Sequence, residues 1–457
     1  MRQFDEFRHG GACLQAIQGM LRRRVTRIAC KQAPPKDRSH LTAHGFALII
    51  TLSLLSLLVL AVLALSAMTK VSSQIAAVSI YQIQARQNAL LGLQVGLSDL
   101  QRHAGDDWRL TGMAGITGIA ANAANSTRHW CGVWEQGNGT FVAWLTSGAQ
   151  ATGSAAMQSG VTTVALIGGN TVGAAAANSE HVIAGKIPLR LTDTLAAPGV
   201  ATMVGSYAYL VLDEGGKICA YAPASQLSLP GVKPLLTSTV PTSAAGKLAT
   251  ALNLYAGKLP AVLSYEQLSL LPTPAAALTP SVLQDNFHHV TLTTRTLMGS
   301  PYFAGNLNLN TTSTIVWRSV LETYNATPGA VILSPANLTA QGNALGNGLA
   351  ATTLGKGANS PFSTVNDFGA YLATLFPLTS SPNYGQIMDA IGPLLSVRSD
   401  TFRIRGYGEV LNPSDAAKVE ATSYCEAIVQ RTPNLAPNGL GRKFVIIGFR
   451  WLRPNDI

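Results

Sequence analysis

Two adjacent histidines, His288 and His289, two adjacent acids, Asp213 and Glu214, and a loop of spaced glycines, Gly168-Gly169-Asn170-Thr171-Val172-Gly173, are the residues whose types invite chemistry. Neighbouring positions on a strand point to opposite faces, so His288 and His289 are not expected to share a metal ion. His129 and His181 have no partner at metal-ligand or triad spacing, and structural or surface places are expected for all four. Calcium takes about six to eight oxygens, and two adjacent acids beside a turn make Asp213 and Glu214 only weak candidates for it. No other metal site is read. The glycine loop continues with Ala174 instead of Lys followed by Ser or Thr, so it lacks the lysine and hydroxyl of a phosphate-binding loop. Gly346-Asn347-Gly348 has no strand-to-helix context either. Trp130, Trp134 and Trp144 are suited to an aromatic binding surface, yet their spacing reads better as core beneath a long helix. No nucleophile or acid–base set converges. The chain is therefore read as non-enzymatic, with no catalytic residue and no cofactor.

Composition supports that direction. The 457 residues are enough for one large or two ordinary domains, and only 12% are charged, a balance that fits an exported, β-rich protein. The net charge of +10 is concentrated near the start, where residues 1–44 hold nine Lys/Arg against three acids. Basic residues just before an apolar run obey the positive-inside rule, and no nucleic-acid-binding module is legible. Cys13, Cys30, Cys131, Cys219 and Cys425 are too widely spaced for a CxxC motif. At most one disulfide is available within a chain among Cys131, Cys219 and Cys425, and buried free thiols are the alternative.

The element that must carry everything else begins after that basic segment. Phe46 to Met68 contains no charge. At about 1.5 Å per residue it makes ~34 Å of helix, against a hydrocarbon layer of ~30 Å. A removable signal has an apolar stretch of only about 7–15 residues. No proline occurs from Val71 to Asp107, and Ile80, Ile83, Leu90, Leu93, Leu97 and Leu100 fall on one helical face. The membrane helix is expected to continue as an amphipathic one to Ala104, stopping at Gly105, with Asp106 and Asp107 solvating its end.

A basic leader, then Gly45-Phe46, then an apolar helix running on into an amphipathic one, resembles the N-terminal region of type IV pilins and pseudopilins. The resemblance implies cleavage by a prepilin peptidase after Gly45 and methylation of Phe46 as the first mature residue. Met20 is an alternative start that leaves a leader of more ordinary length. Most pilins carry a glutamate at the fifth mature position; here that position is Ile50. PilX-type minor pilins and the K-type minor pseudopilin often lack the same acid, which fits an initiating or capping position. The other reading of Ile50 is an ordinary anchor that is never cut.

Beyond Gly105 the sequence breaks into short apolar runs separated by Gly, Pro, Asn and Ser. Strands are expected at 141–147, 161–167, 181–192, 207–223, 288–298 and 313–323, with Asp213-Glu214-Gly215-Gly216 as a hairpin turn. Helices are expected after Thr279-Pro280, over Thr364–Phe376 and over Tyr384–Ile391. The remainder reads as a three-stranded antiparallel meander turning at Asn412-Pro413-Ser414-Asp415 and Pro437–Gly441. The expected class is α+β: a long N-terminal helix packed on antiparallel sheet, with a mixed helical and loop insertion. The expected divisions are a leader over 1–45, the helix over 46–104 with its membrane part at 46–68, a β-rich domain over 105–224, the insertion over 225–400 and the meander over 401–457.

The phrases "HWCGVWEQGNGTFVAWLTSG", "GSYAYLVLDEGGKICAYA", "FRIRGYGEVLNP" and "SYCEAIVQRTPN…GRKFVIIGFRWL" resemble blocks of the Verru_Chthon cassette protein A family, whose members have pilin-like N-termini and no known biochemical activity. The expectation is a structural subunit in the bacterial inner membrane, N-terminus cytoplasmic and outer domain periplasmic. It would assemble with other pilin-like subunits, after prepilin peptidase processing, into a type IV pilus or type II secretion-like fibre at the cell surface, or into its tip. Its assembly helix would use Phe46, Ala47, Leu48, Ile49, Ile50 and the helical face above, with Ala61, Ala64 and Ala67 permitting close approach. A single-pass anchored periplasmic binding protein or adhesin that never polymerises is the alternative.

Overall fold

In the computed structural model the described residues are 43–119, 127–173, 180–192, 201–219, 284–291, 307–325, 329–349, 356 and 360–457. The basic leader up to residue 42 and the start of the helix expected after Thr279-Pro280 lie outside them, while Gln284, Asp285 and Asn286 are helical. The class is α+β, as expected. Helix α1 occupies Ala43–Ala104; the chain falls into two compact units, Met1–Ser72 and Ser73–Ile457, and α1 contributes residues to both.

Within the first unit the helix is apolar all round. Thr51, Ser53 and Ser56 return their hydroxyls to the carbonyls of Leu48, Ile50 and Ser53 at 2.9–3.0 Å, which satisfies each polar group inside the helix.

The second unit is built on strands β1 (Arg109–Met113), β2 (Cys131–Glu135), β3 (Phe141–Trp144), β4 (Thr163–Ile167), β5 (Val182–Gly185), β6 (Ile187–Thr192), β7 (Ala201–Asp213), β8 (Ile218–Cys219), β9 (Val290–Thr291), β10 (Leu307–Asn308), β11 (Leu395–Ser396), β12 (Thr401–Asn412), β13 (Asp415–Leu435) and β14 (Arg442–Leu452). Its other helices are α2 (Thr314–Asn325), α3 (Pro335–Gly348), α4 (Val365–Leu375) and α5 (Tyr384–Ile391). The main sheet has order β14-β13-β12-β7-β6 and is antiparallel throughout. The expected meander is thus three strands of a larger sheet, with turns where Pro413 and Pro437–Gly439 end the pairing.

Alternation along the central strands sets up two cores. Tyr209, Val211, Phe402, Ile404, Cys425 and Ala427 face α1 through Ala89, Leu93 and Leu100. Ala208, Leu210, Leu212 and Tyr407 face the other way, onto Trp130, Trp134 and Trp144. The tryptophans are therefore core, but on the sheet face opposite the helix.

The arc of α1 that meets the sheet differs from the one its large apolar residues mark. Ile80 and Ile83 are 54% and 53% exposed, and Leu90 and Leu97 are only half-buried. The sheet is met by Ala85, Ala89, Gly92, Leu93, Gly96 and Leu100. Small residues win there because helix backbone and strand backbone nearly touch. A Cβ on Gly408 would lie 2.2 Å from the Ala89 nitrogen and 2.3 Å from the Ala85 oxygen, and one on Gly406 2.5 Å from the Ala89 oxygen.

The helix ends at Gly105 as expected, and the β13–β14 connection closes over it. Arg442 N–H donates to the Gly105 carbonyl at 2.7 Å, while the Gln101 carboxamide bonds Leu440, Arg442 and Phe444. Asp107 does more than solvate this end, since it pairs with Arg398, Arg431 and Arg442. Hydrogen bonding from Arg442, reinforced by the other two guanidiniums, holds its carboxyl well below the usual range.

Two strand expectations are corrected. The stretch 313–323 is mostly helix α2: Val316, Trp317, Val320, Leu321 and Tyr324 form a helical stripe, all buried, and the Ser313 hydroxyl caps the start by accepting from Val316 N–H. Its β-branched residues suggested a strand, and tertiary packing overrode them. Asp213-Glu214-Gly215-Gly216 turns the chain, but β7 and β8 do not pair; β7 joins β6 and β12, and β8 pairs parallel with β9. The helices expected at Thr364–Phe376 and Tyr384–Ile391 are present as α4 and α5, capped by Thr364 and by an Asn383–Gln386 capping box. They join α2 and α3 in a separate core around Trp317, Phe362, Phe368 and Leu372. Glycines of α3 bring it against α2, with Gly342 and Gly346 over the Arg318 and Thr314 backbones.

Candidate functional sites

One helix among the described residues is long and apolar enough to cross a membrane. Every large apolar side chain described from Phe46 to Met68 is exposed, at 45–73%. Gly45 and Phe46 lie within α1, and Ile50 stands among those exposed side chains with no acid beside it among the described residues. Surface of this kind needs lipid or other helices around it, since monomeric soluble proteins rarely expose so much contiguous apolar area.

Asp213 and Glu214 are buried and already engaged. Asp213 accepts from the Gly215 and Gly216 N–H groups at 2.7 and 3.1 Å and from Asn308 Nδ2 at 3.1 Å. Glu214 pairs with Lys217 at 2.8 Å and Arg403 at 3.0 Å. Burial pushes the Glu214 carboxyl up, but Arg403 and Lys217 outweigh it and hold the group ionised. A calcium ion would have to displace these donors, so the pair serves as a structural junction. Alongside it, Glu426 joins Arg403, Arg405 and Arg450 at 2.7–2.9 Å. Burial raises the Glu426 carboxyl, and the three guanidiniums overcome that and bring it to about 2.

Donor atoms converge elsewhere. The turn before β2 carries His129, the approach to β5 carries Glu180, and the turn before β9 carries His288 and His289. His288 and His289 sit on a turn instead of a strand, so the expectation of opposite faces fails, and both line one cavity of about 200 Å³ with His129, Glu180 and Arg128. One ring nitrogen or carboxylate oxygen from each of His129, Glu180 and His288 lies within 4.8 Å of the others. The His129 and His288 rings stack at 3.7 Å, 5° from parallel. Nε2 of His288 is 2.7 Å from the Glu180 carbonyl; a carbonyl only accepts, so that nitrogen carries the proton. Nε2 of His129 is 3.0 Å from the Glu180 carboxylate without hydrogen-bond geometry, and its Nδ1 has no partner. Burial pushes all three imidazoles down, His289 to about 4, so they are neutral near pH 7. Burial raises the Glu180 carboxyl, but its 3.0 Å contact with His129 and the nearby Arg128 guanidinium outweigh it and hold the group ionised. The cluster yields neutral nitrogen donors and one carboxylate. Its members are too far apart in sequence for any spacing rule, and the lone clue was the histidines themselves.

The glycine loop at 168–173 is a loop with one helical turn, Gly169–Val172, clasping the β14 end of the chain: Asn170 N–H donates to the Ile457 carbonyl at 2.8 Å. Cys131 and Cys425 are free thiols, buried in the core facing α1. No family model, curated protein or solved structure matches this chain.

Proposed function

We propose that this chain is a non-enzymatic structural subunit, pilin-like or minor pseudopilin-like and related to the Verru_Chthon cassette protein A group, held in the inner membrane and assembled through α1. The observation that carries the reading is the contrast along that helix. Its first part displays apolar side chains on every side, whereas its later part is locked to a sheet by backbone contact at Gly406 and Gly408. A subunit that leaves lipid for a fibre needs an apolar stalk that neighbours can cover, fixed to a domain that does not let go. Ala61, Ala64 and Ala67 supply small positions for close approach. Exposed Ile446, Ile447, Phe449 and Trp451 on edge strand β14 offer further apolar surface for a neighbour.

Mass spectrometry of the protein's mature N-terminus tests the reading. A chain beginning at methylated Phe46 is expected when a prepilin peptidase is present. Intact leader residues, together with no cross-links between cysteines placed at Leu57 of neighbouring copies, would leave an anchored monomer instead.

A further inference from the structure

We propose that His129, Glu180 and His288 hold a divalent transition-metal ion of the zinc class, bound through one ring nitrogen of each histidine and the Glu180 carboxylate. The site is independent of how α1 is used, since it lies wholly in the β-rich unit.

Three observations support it. The donor atoms already lie within 4.8 Å of one another, on three segments that share no secondary-structure pairing. Nδ1 of His129 has no partner and Nε2 meets the Glu180 carboxylate at 3.0 Å without hydrogen-bond geometry, although the residue is 6% exposed. Native interiors rarely leave a buried polar group unmatched, and an imidazole and a carboxylate that face each other without a hydrogen bond are explained by a ligand that accepts lone pairs from both. The cluster also opens on a cavity of about 200 Å³, roomy enough for an ion with a water in its remaining position.

The donor set selects the ion. Two imidazoles and one carboxylate suit zinc and its neighbours, while calcium or magnesium requires a shell of oxygens. Arg128 lines the same cavity. A neighbouring guanidinium disfavours an ion held by charge alone and favours one held by directed nitrogen lone pairs. His289, whose Nδ1 is 2.8 Å from the Ser313 hydroxyl, borders the cavity as a further nitrogen.

The His129 and His288 rings stack in parallel. A metal bonds in the plane of each imidazole, so uptake must swing the two rings out of their stack. The bound ion would then cross-link the segments before β2, β5 and β9.

The test uses the full chain in detergent, without a polyhistidine tag. Titration with cobalt(II) is expected to saturate at one equivalent, to give visible ligand-field absorption and to be reversed by zinc. His129→Gln and Glu180→Gln are expected to weaken binding beyond the roughly 10–100-fold that loss of an outer-shell partner causes. His181→Gln, whose ring lies outside the donor set, is expected to bind as wild type. Should the variants fail to fold by circular dichroism, histidine modification of the wild type with diethylpyrocarbonate, mapped by mass spectrometry, decides the matter. Zinc is expected to change the labelling of His129 and His288 more than that of His103. No saturable cobalt binding by wild type, undiminished binding by a folded Glu180→Gln chain, or labelling indifferent to zinc overturns the proposal.

Discussion

Replacing Gly408 with alanine puts a single methyl group between two backbones. The new Cβ would stand 2.2 Å from the Ala89 nitrogen, 2.3 Å from the Ala85 oxygen and 2.6 Å from the Asn88 carbonyl carbon. None of these is the flexible end of a side chain, so relief must come from moving α1 off β12. Restoring ordinary contact at ~3.4 Å requires about 1.2 Å of separation, and a gap of ~0.5–1 Å already forfeits a quarter to a half of each dispersion contact. Ala85, Ala89 and Leu93 all lose contact at once. Overpacking costs about 1–3 kcal/mol, and because this obstacle is main chain we expect the upper end, about 3 kcal/mol. With an m-value of ~3 kcal/mol/M that lowers the urea midpoint by about 1 M. The matched control is Gly369→Ala inside α4, where the nearest atom is Met388 Cε at 3.8 Å. There the helix should gain about 0.5–1 kcal/mol. Urea unfolding of both variants in detergent, followed by near-ultraviolet circular dichroism, reads the difference. A Gly408→Ala midpoint equal to wild type, or a fall matched by Gly369→Ala, refutes the close-contact argument.

Glu426→Gln leaves Arg403, Arg405 and Arg450 without their shared carboxylate and should cost about 3–5 kcal/mol at neutral pH, read from the urea midpoint. The Glu426 carboxyl is held at about 2 in the fold, below its unfolded value near ~4.3. Its contribution is therefore present above that unfolded value and lost as pH falls toward 2, so the variant's stability should drop less steeply across that window. In a chain with Cys13, Cys30 and Cys219 changed to serine, Cys131 and Cys425 should not react with Ellman's reagent until urea is added; both are buried, and burial pushes the Cys425 thiol up to about 12. A single Leu57→Arg should leave the chain in carbonate-washed membranes. One arginine costs about 2.5–3.5 kcal/mol at mid-span, against up to ~0.6 kcal/mol gained by each Leu, Ile, Val or Phe, of which Phe46–Met68 has 14. Arginines at Leu54, Leu57 and Leu60 together should release it.

What could be read in advance followed locality. The caps at Thr364 and Asn383 and the turn at Asn412–Asp415 are decided within a few residues, and α4, α5 and the β12–β13 hairpin form where the sequence places them. Helix α2 was hidden because Thr, Ile and Val suggest strands until the burial of Trp317 and Leu321 decides the period. The docked arc of α1 is only partly legible, since Leu93 and Leu100 are buried as expected but side-chain size does not set burial along the rest of the face. Closest approach belongs to Ala85, Ala89, Gly92 and Gly96, while Ile80 and Ile83 stay outside. The His129–Glu180–His288 cluster depends on three turns meeting in space, and no window of sequence contains it.

Apart from β7, the strands that receive α1 come late in the chain, for Gln101 bonds to Leu440 across 339 positions and Cys425 reaches Ala89 across 336. A ribosome therefore releases the greasy stem long before its cradle exists. During that interval the segment from Ala85 to Ala104 has to stay unclaimed by other apolar partners. Any product that stops short of β12 would carry a stem with only β7 to rest on, which ties successful maturation to completing the final portion of translation.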